Sequence, residues 1–309
     1  MLGRPIGHSL SPVLHRAAYR ALGLDWAFAA LDCGADDLAA LLRRSGPEWV
    51  GFCCTMPLKR QVVALADEVS ARAAAVGAGN TLLRQGAFGG PEGAEQPAAE
   101  RPGAARWRAD NTDVAGILGA LAERGVGRGG APARAADGAA PGSASARGAG
   151  RAQLGSVTVL GAGGTAQAAV AALAEIGVTR CRALVRDRSR TAPLLATAER
   201  VGARVELGEL TASDRSLGAD LVISALPPRA ADPLTAFAWS SRQTVLDVCY
   251  DQWPTALARS VAAAGGTVLS GAAMLLHQAA AQVELMTGRA APVSAMRAAL
   301  RRAVPNAGL

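Results

Sequence analysis

The sequence predicts an α/β fold with largely parallel sheets, and three observations carry that prediction. Short apolar strands alternate with helical stretches along most of the chain. A β-branched strand at Val157–Leu160 runs straight into a glycine turn and an alanine-rich helix. The polar residues best suited to chemistry fall where strands end and loops begin, the place where open α/β sheets bind ligands. With 309 residues the chain is long enough for two domains, each with its own core. Half of it is apolar but only 4% is aromatic, so the cores are expected to be close-packed Ala, Leu and Val.

The elements follow in order. Ser11-Pro12 reads as an N-cap and first helical position. Val13, Leu14, Ala17, Ala18, Ala21 and Leu22 then share one face, and Gly23 ends the helix. A strand is expected at Trp26–Leu31, a helix near Asp36–Arg44 and a strand at Trp49–Cys54, with Pro57 opening the next helix. Strands at Thr81–Arg84 and Trp107–Asp110 precede a helix at Asp113–Arg124 that suits a bridge between domains. The second domain runs from Val157 to about Ser270, and a helical pair at Ala272–Thr287 and Pro292–Ala303 closes the chain. Segments 89–106 and 127–153 are rich in Gly, Ala, Pro and Arg without periodicity, which predicts flexible inserted surface loops. A glycine turn already falls at Gly3, leaving little room for a first strand. Either the reading frame starts too late, or Met1 and Leu2 are the stump of that strand.

Composition excludes several classes. The net charge of +7 hints at nucleic acid, yet no basic run with interleaved aromatics appears. Five cysteines, odd in number and without a CxxC pair, suit reduced thiols better than disulfides or a metal site. With no signal peptide and no spanning apolar run, the expectation is a cytoplasmic protein without membrane or nucleic-acid partners, acting on a small molecule. A homodimer is left open.

Val157–Leu160 leads into Gly161-Ala162-Gly163-Gly164-Thr165-Ala166, a GxGxxA turn in strand–turn–helix context. Glycine permits the tight turn and lets the backbone approach a pyrophosphate, which sits on the amide-rich helix N-terminus. A second strand at Cys181–Val185 ends in Arg186-Asp187-Arg188-Ser189-Arg190. Arg186 and Arg190 can hold a 2′-phosphate, which favours NADP, while Asp187 keeps NAD open.

Of 32 lysines and arginines, only Lys59 is a lysine. An amine can be tuned to give and take a proton, whereas guanidinium stays charged. Around it lie Ser9 and Ser11, Thr55, Asn80 and Thr81, and Asp110-Asn111-Thr112-Asp113. Taken singly, each has an ordinary reading: Ser11 and Asp113 as helix caps, Asn80 as a turn residue, Lys59 as a surface cation.

Together with Gln278, these residues resemble the shikimate dehydrogenase family. The matching segments are Gly7-His8-Ser9-Leu10-Ser11-Pro12, Thr55-Met56-Pro57-Leu58-Lys59, Gly79-Asn80-Thr81, Asp110–Asp113, the glycine turn, and Gly271 to Ala279 with Met274, His277 and Gln278. They come in the family's order. The resemblance implies an N-terminal α/β substrate domain (1–112, completed by 271–309) and a Rossmann-type, doubly wound NADP-binding domain (113–270). It implies reversible NADPH-dependent reduction of 3-dehydroshikimate to shikimate. By the same resemblance, Ser9 and Ser11 bind the substrate carboxylate, and Thr55, Asn80, Asp110 and Gln278 hold ring oxygens. Tyr250 lies near the substrate, Ser224 and Gly271 border the cofactor, and Lys59 with Asp110 forms the catalytic pair. Hydride arriving at a ketone leaves negative charge on oxygen, so a proton donor must stand within reach. Lys59 sits in the first turn of a helix whose positive end disfavours the ammonium form, and Asp110 would keep the amine oriented. Cys53 and Ser224 depart from the family, which often has a polar residue and an asparagine there. A relative also acting on quinate fits the same motifs. A non-catalytic NADP-binding paralogue would need no tunable amine.

Overall fold

The protein is described here by a computed structural model covering residues 1–86, 105–126 and 154–308. Apart from residues 105 and 106, the two expected insertions lie outside the described residues. The first half of the chain runs β1 (Leu2–Gly3), α1 (Ser11–Ala21), β2 (Leu31–Asp32), α2 (Leu38–Arg44), β3 (Gly51–Cys53) and α3 (Lys59–Leu65). It continues through β4 (Glu68–Val69), α4 (Ala71–Val76), β5 (Thr81–Arg84), β6 (Trp107–Asp110) and α5 (Asp113–Ala122). The second half has β7 (Val157–Leu160), α6 (Gly164–Glu175), β8 (Arg180–Val185), α7 (Ala192–Arg200), β9 (Arg204–Glu209) and β10 (Leu221–Ser224). Then come β11 (Thr244–Asp247), α8 (Ala256–Ala263), β12 (Thr267–Ser270), α9 (Gly271–Thr287) and α10 (Val293–Ala303).

Strands β7 to β12 form one six-stranded sheet in the order β12-β11-β10-β7-β8-β9, parallel throughout. Read from the other edge this is 3-2-1-4-5-6, the doubly wound order whose ligand crevice opens where the winding reverses, beside β7 and β10. Val159, Ile223 and Leu246 are fully buried along it, each contributing about 1.5–3 kcal/mol of apolar transfer. Helix α6 supplies Ala166, Ala168, Ala169 and Ala172 to the same core, and small side chains let it lie close to the sheet.

The first half is less parallel than expected. Its four-stranded sheet, β3-β5-β6-β4, joins β5 antiparallel to both β3 and β6, and only β4 runs parallel to β6. The strand anticipated over Trp26–Leu31 shrinks to Leu31–Asp32 because its partner β1 is only two residues long. Trp26 and Phe28 instead turn their rings onto Tyr19 and His15. Leu2 is fully buried, pairs with Leu31 and bridges to Cys54.

Helix α5 packs on both halves. Val114, Ile117, Ala120 and Leu121 join the core of the parallel sheet, although Gly116 and Gly119 face α9. A Cβ on Gly116 would stand 2.7 Å from the Met274 carbonyl, and one on Gly119 would stand 2.2 Å from the His277 ring. Only glycine permits that approach.

Candidate active site

A cavity lies between the C-terminal edge of the parallel sheet and the first half of the chain. Ser11, Thr55, Lys59, Tyr250 and Gln278 line it, with Met274 and Leu275 from α9 as an apolar wall. Asp113, Thr165 and Gly271 complete the side towards the glycine turn.

Lys59 is the first residue of α3, which begins two residues later than the Pro57 start expected from the sequence, and its carbonyl accepts from the Gly79 amide at 2.7 Å. Its partner is Asp113 and not the expected Asp110. Lys59 Nζ lies 2.5 Å from Asp113 Oδ2, with side-chain exposures of 19% and 3%. It also donates to Thr165 Oγ1 at 3.4 Å, touching the start of α6. The expected pairing fails because Asp110 still belongs to β6, opposite Thr81. Its Oδ1 is taken by Ser70 Oγ (2.9 Å) and by the Asn111 amide (2.7 Å). Three residues later the chain has turned into α5, and Asp113 on its first turn faces the amine.

Asn80 is 1% exposed and stands behind Asp113 and Gln278 of the cavity wall. The Thr112 amide can only donate, and it lies 2.8 Å from Asn80 Oδ1, which fixes the carboxamide. Asn80 Nδ2 must then face Asp113 Oδ1 and Gln278 Oε1, each at 3.0 Å. Gln278 accepts there, leaving its Nε2 to donate into the cavity. Ser9 sits outside the lining, and its Oγ accepts from the Ser11 amide at 3.3 Å. Tyr250 is held protonated, because burial first, and then Asp251 and Cys249, push its phenol above the ordinary range.

The glycine turn fits a dinucleotide. Gly161 has φ +105°, open only to glycine, and a Cβ on Gly163 would meet nothing within 4 Å, leaving the backbone bare to a pyrophosphate. Gly164, Thr165 and Ala166 open α6, whose first amides have no partner within the helix. Gly271 is forced by close approach, since a Cβ there would lie 2.0 Å from the Val248 carbonyl. Arg186 and Arg190 are exposed just past β8. Asp187 Oδ1 is turned onto the Ser189 amide (2.9 Å) and hydroxyl (2.6 Å), so that oxygen caps its own turn. Ser224 ends β10, 1% exposed and in register with Asp247 of β11.

Two polar cavity residues were not assigned a role from the sequence. Asp113 was visible only as half of a carboxylate pair, and spacing alone does not decide which of two acids three residues apart faces an amine. Gln282, one turn beyond Gln278 on α9, is 3% exposed and reads as one more residue on an otherwise apolar face. Among the described residues no cluster of His, Cys, Asp and Glu could hold a metal, and no helix is long and apolar enough to cross a membrane.

Comparison with known proteins agrees with this arrangement. Residues 1–82 match the family described as shikimate dehydrogenase substrate binding domain, and residues 271–301 match the shikimate 5'-dehydrogenase C-terminal domain. Residues 157–269 match the saccharopine dehydrogenase NADP binding domain. A relative from Halobacterium salinarum named shikimate dehydrogenase (NADP(+)) is 36% identical over 304 residues, covering 97% of each chain. The crystal structure of Mycobacterium tuberculosis shikimate dehydrogenase superposes with TM-score 0.75 at 39% identity, over 98% of this chain and 97% of that one. A Thermus thermophilus shikimate 5-dehydrogenase, solved with NADP(H) and shikimate, gives 0.70 at 29% identity over 98% and 97%. With the doubly wound sheet, the glycine turn and the lysine–aspartate pair in one cavity, full-length similarity at this level has one meaning: the chain belongs to the shikimate dehydrogenase family.

Proposed function

We propose that the protein catalyses the reversible NADPH-dependent reduction of 3-dehydroshikimate to shikimate in the cytoplasm. The observation that carries this reading is the Lys59–Asp113 pair, set between a polar cavity and the first turn of α6. The turn Gly161–Ala166 would hold the pyrophosphate and Arg186 and Arg190 the 2′-phosphate, with Gly271 bordering the cavity. The bound nucleotide supplies hydride to the substrate's carbonyl carbon.

Everything else falls to the chain. The Lys59 ammonium gives a proton to the carbonyl oxygen as negative charge gathers there, and in the reverse direction the neutral amine takes the alcohol proton. Asp113 holds the amine in line and steadies its charged form. Ser11, with Ser9 behind it, offers donors to a ring carboxylate, while Thr55, the Gln278 amide and the Tyr250 hydroxyl address ring oxygens. Met274 and Leu275 exclude water from one face. We assign residues 1–112 and 271–309 to substrate and 113–270 to cofactor, with α5 shared.

The test is direct. Purified protein should oxidise NADPH with 3-dehydroshikimate, and Lys59→Ala should lose turnover by roughly 10²–10⁴-fold with far less effect on substrate binding. Initial rates with shikimate and quinate, each with NADP and NAD, set the substrate and cofactor range. Full activity of Lys59→Ala would remove the proposed proton donor.

A further inference from the structure

The carboxamide of Gln282 lies beneath the cavity with its donors and acceptor fixed by their surroundings. Its Nε2 faces the Asn80 carbonyl at 3.3 Å and Thr81 Oγ1 at 3.1 Å. A carbonyl can only accept, so Oε1 is the end turned to His15 Nε2 at 3.3 Å. His15 must therefore carry its proton on Nε2, and its Nδ1 accepts from the Tyr19 hydroxyl at 3.2 Å. On the other side, the Thr81 hydroxyl donates to Asn80 Oδ1 at 2.9 Å, and Asn80 Nδ2 reaches Asp113 Oδ1. Every hydrogen bond thus points the same way, from Tyr19 through His15, Gln282, Thr81 and Asn80 to Asp113. All six residues are at most 3% exposed. Such chains polarise one another and specify a single arrangement.

We propose that Gln282 is a positioning residue for the reaction: its buried amide locks the Asn80–Thr81 corner, and through it aims the Asp113 carboxylate at Lys59 and the Gln278 amide at the substrate. The inference rests on the function proposed above and adds to it a residue outside the reacting groups.

Two further observations support it. Cys53, on β3 beside this corner, is a weak partner: its Sγ stands 3.6 Å from His15 Nε2, and burial pushes its thiol up to about 12. The shorter contact to the imidazole Nε2 is that of Gln282, an amide oxygen and a better acceptor than a thiol. His15 is held neutral because burial pushes it down to about 3, so the direction of the chain persists across the working pH range.

The experiment uses the full-length protein and the fact that Lys59 is its sole lysine. Lysine labelled with ¹³C at the ε-carbon then gives a single side-chain resonance that reports where the Asp113 charge lies. In Gln282→Leu that resonance should shift. kcat should fall about tenfold or more with the KM for NADPH unchanged, as expected when one hydrogen bond to a reacting group is misdirected. In an Asp113→Asn background the same substitution should cost little more, because both act through one carboxylate. An unmoved resonance in folded Gln282→Leu, or an equal loss of kcat in both backgrounds, overturns the proposal. If Gln282→Leu does not fold, Thr81→Val breaks the next link and Thr81→Ser restores it, with the same readouts. Should the wild-type protein fail to reduce 3-dehydroshikimate, the proposed function falls, while the lysine resonance still tests the positioning chain.

Discussion

Acid should unfold this protein partly through one imidazole, by an amount that follows from its position. His15 is fully buried against Phe28 and Tyr19, and both ring nitrogens are committed. Burial holds it neutral down to about 3, whereas the unfolded chain binds a proton near the ordinary value of 6.5. The unfolded state thus takes up a proton that the folded state refuses, and stability falls as pH drops from 6.5 towards 3. Each pH unit in that window costs about 1.4 kcal/mol per proton. The expected loss is about 2 kcal/mol between pH 6.5 and pH 5, approaching about 4 kcal/mol near pH 3. Denaturant unfolding of the wild type and of His15→Gln, measured at matched pH values, isolates the term. Other titrating groups, such as the buried Asp247, contribute equally to both proteins and cancel in the difference. The variant starts less stable but should show a shallower decline with acid. Parallel pH dependences for the two proteins would refute the reasoning.

Three further outcomes follow from the geometry. Asp113→Asn should lower kcat by roughly 10²–10⁴-fold, whereas Asp110→Asn should cost mainly stability, about 1–3 kcal/mol from its disturbed bonds to Ser70 and the Asn111 amide; steady-state kinetics beside thermal melts separates the two. Arg186→Ala and Arg190→Ala should each raise the KM for NADPH by about tenfold or more, the loss of one charge-assisted bond, with little change for NADH. Gly116→Ala places a methyl 2.7 Å from the Met274 carbonyl and 3.0 Å from Gln278 Cβ. It should cost about 1–3 kcal/mol by overpacking and raise the KM for shikimate, read by calorimetric melting and initial rates.

Much of the fold was legible because local signals agreed with the tertiary outcome. The β7 strand, the glycine turn and the alanine-rich α6 each had a backbone reason to be where they are. Thr81–Arg84 and Trp107–Asp110 were bounded by polar turns and emerged with those limits. The Trp26–Leu31 strand failed because a strand exists only with a partner, and no pattern within it reports that β1 is two residues long. In the site, Lys59 was legible from its rarity and its place at a helix start. Asp113 was misread because two acids, at a strand end and on the first helical turn, differ by a rotation that spacing does not encode. Gln282 left no sequence signal, since its role depends on imidazole, hydroxyl and carbonyl groups brought together from α1 and β5.

The glycine-lined contact of α5 with α9 ties chemistry to architecture in a way that bears on engineering. Asp113 opens one of these helices and Gln278 sits within the other, so the acid beside the amine and the amide lining the cavity ride on a single girder. On the proposed function, nucleotide choice rests elsewhere, with the arginines past β8. Redesign for a different coenzyme can therefore proceed at that edge without retuning proton transfer, whereas enlarging the ring pocket by substitution along the girder would disturb turnover and recognition together.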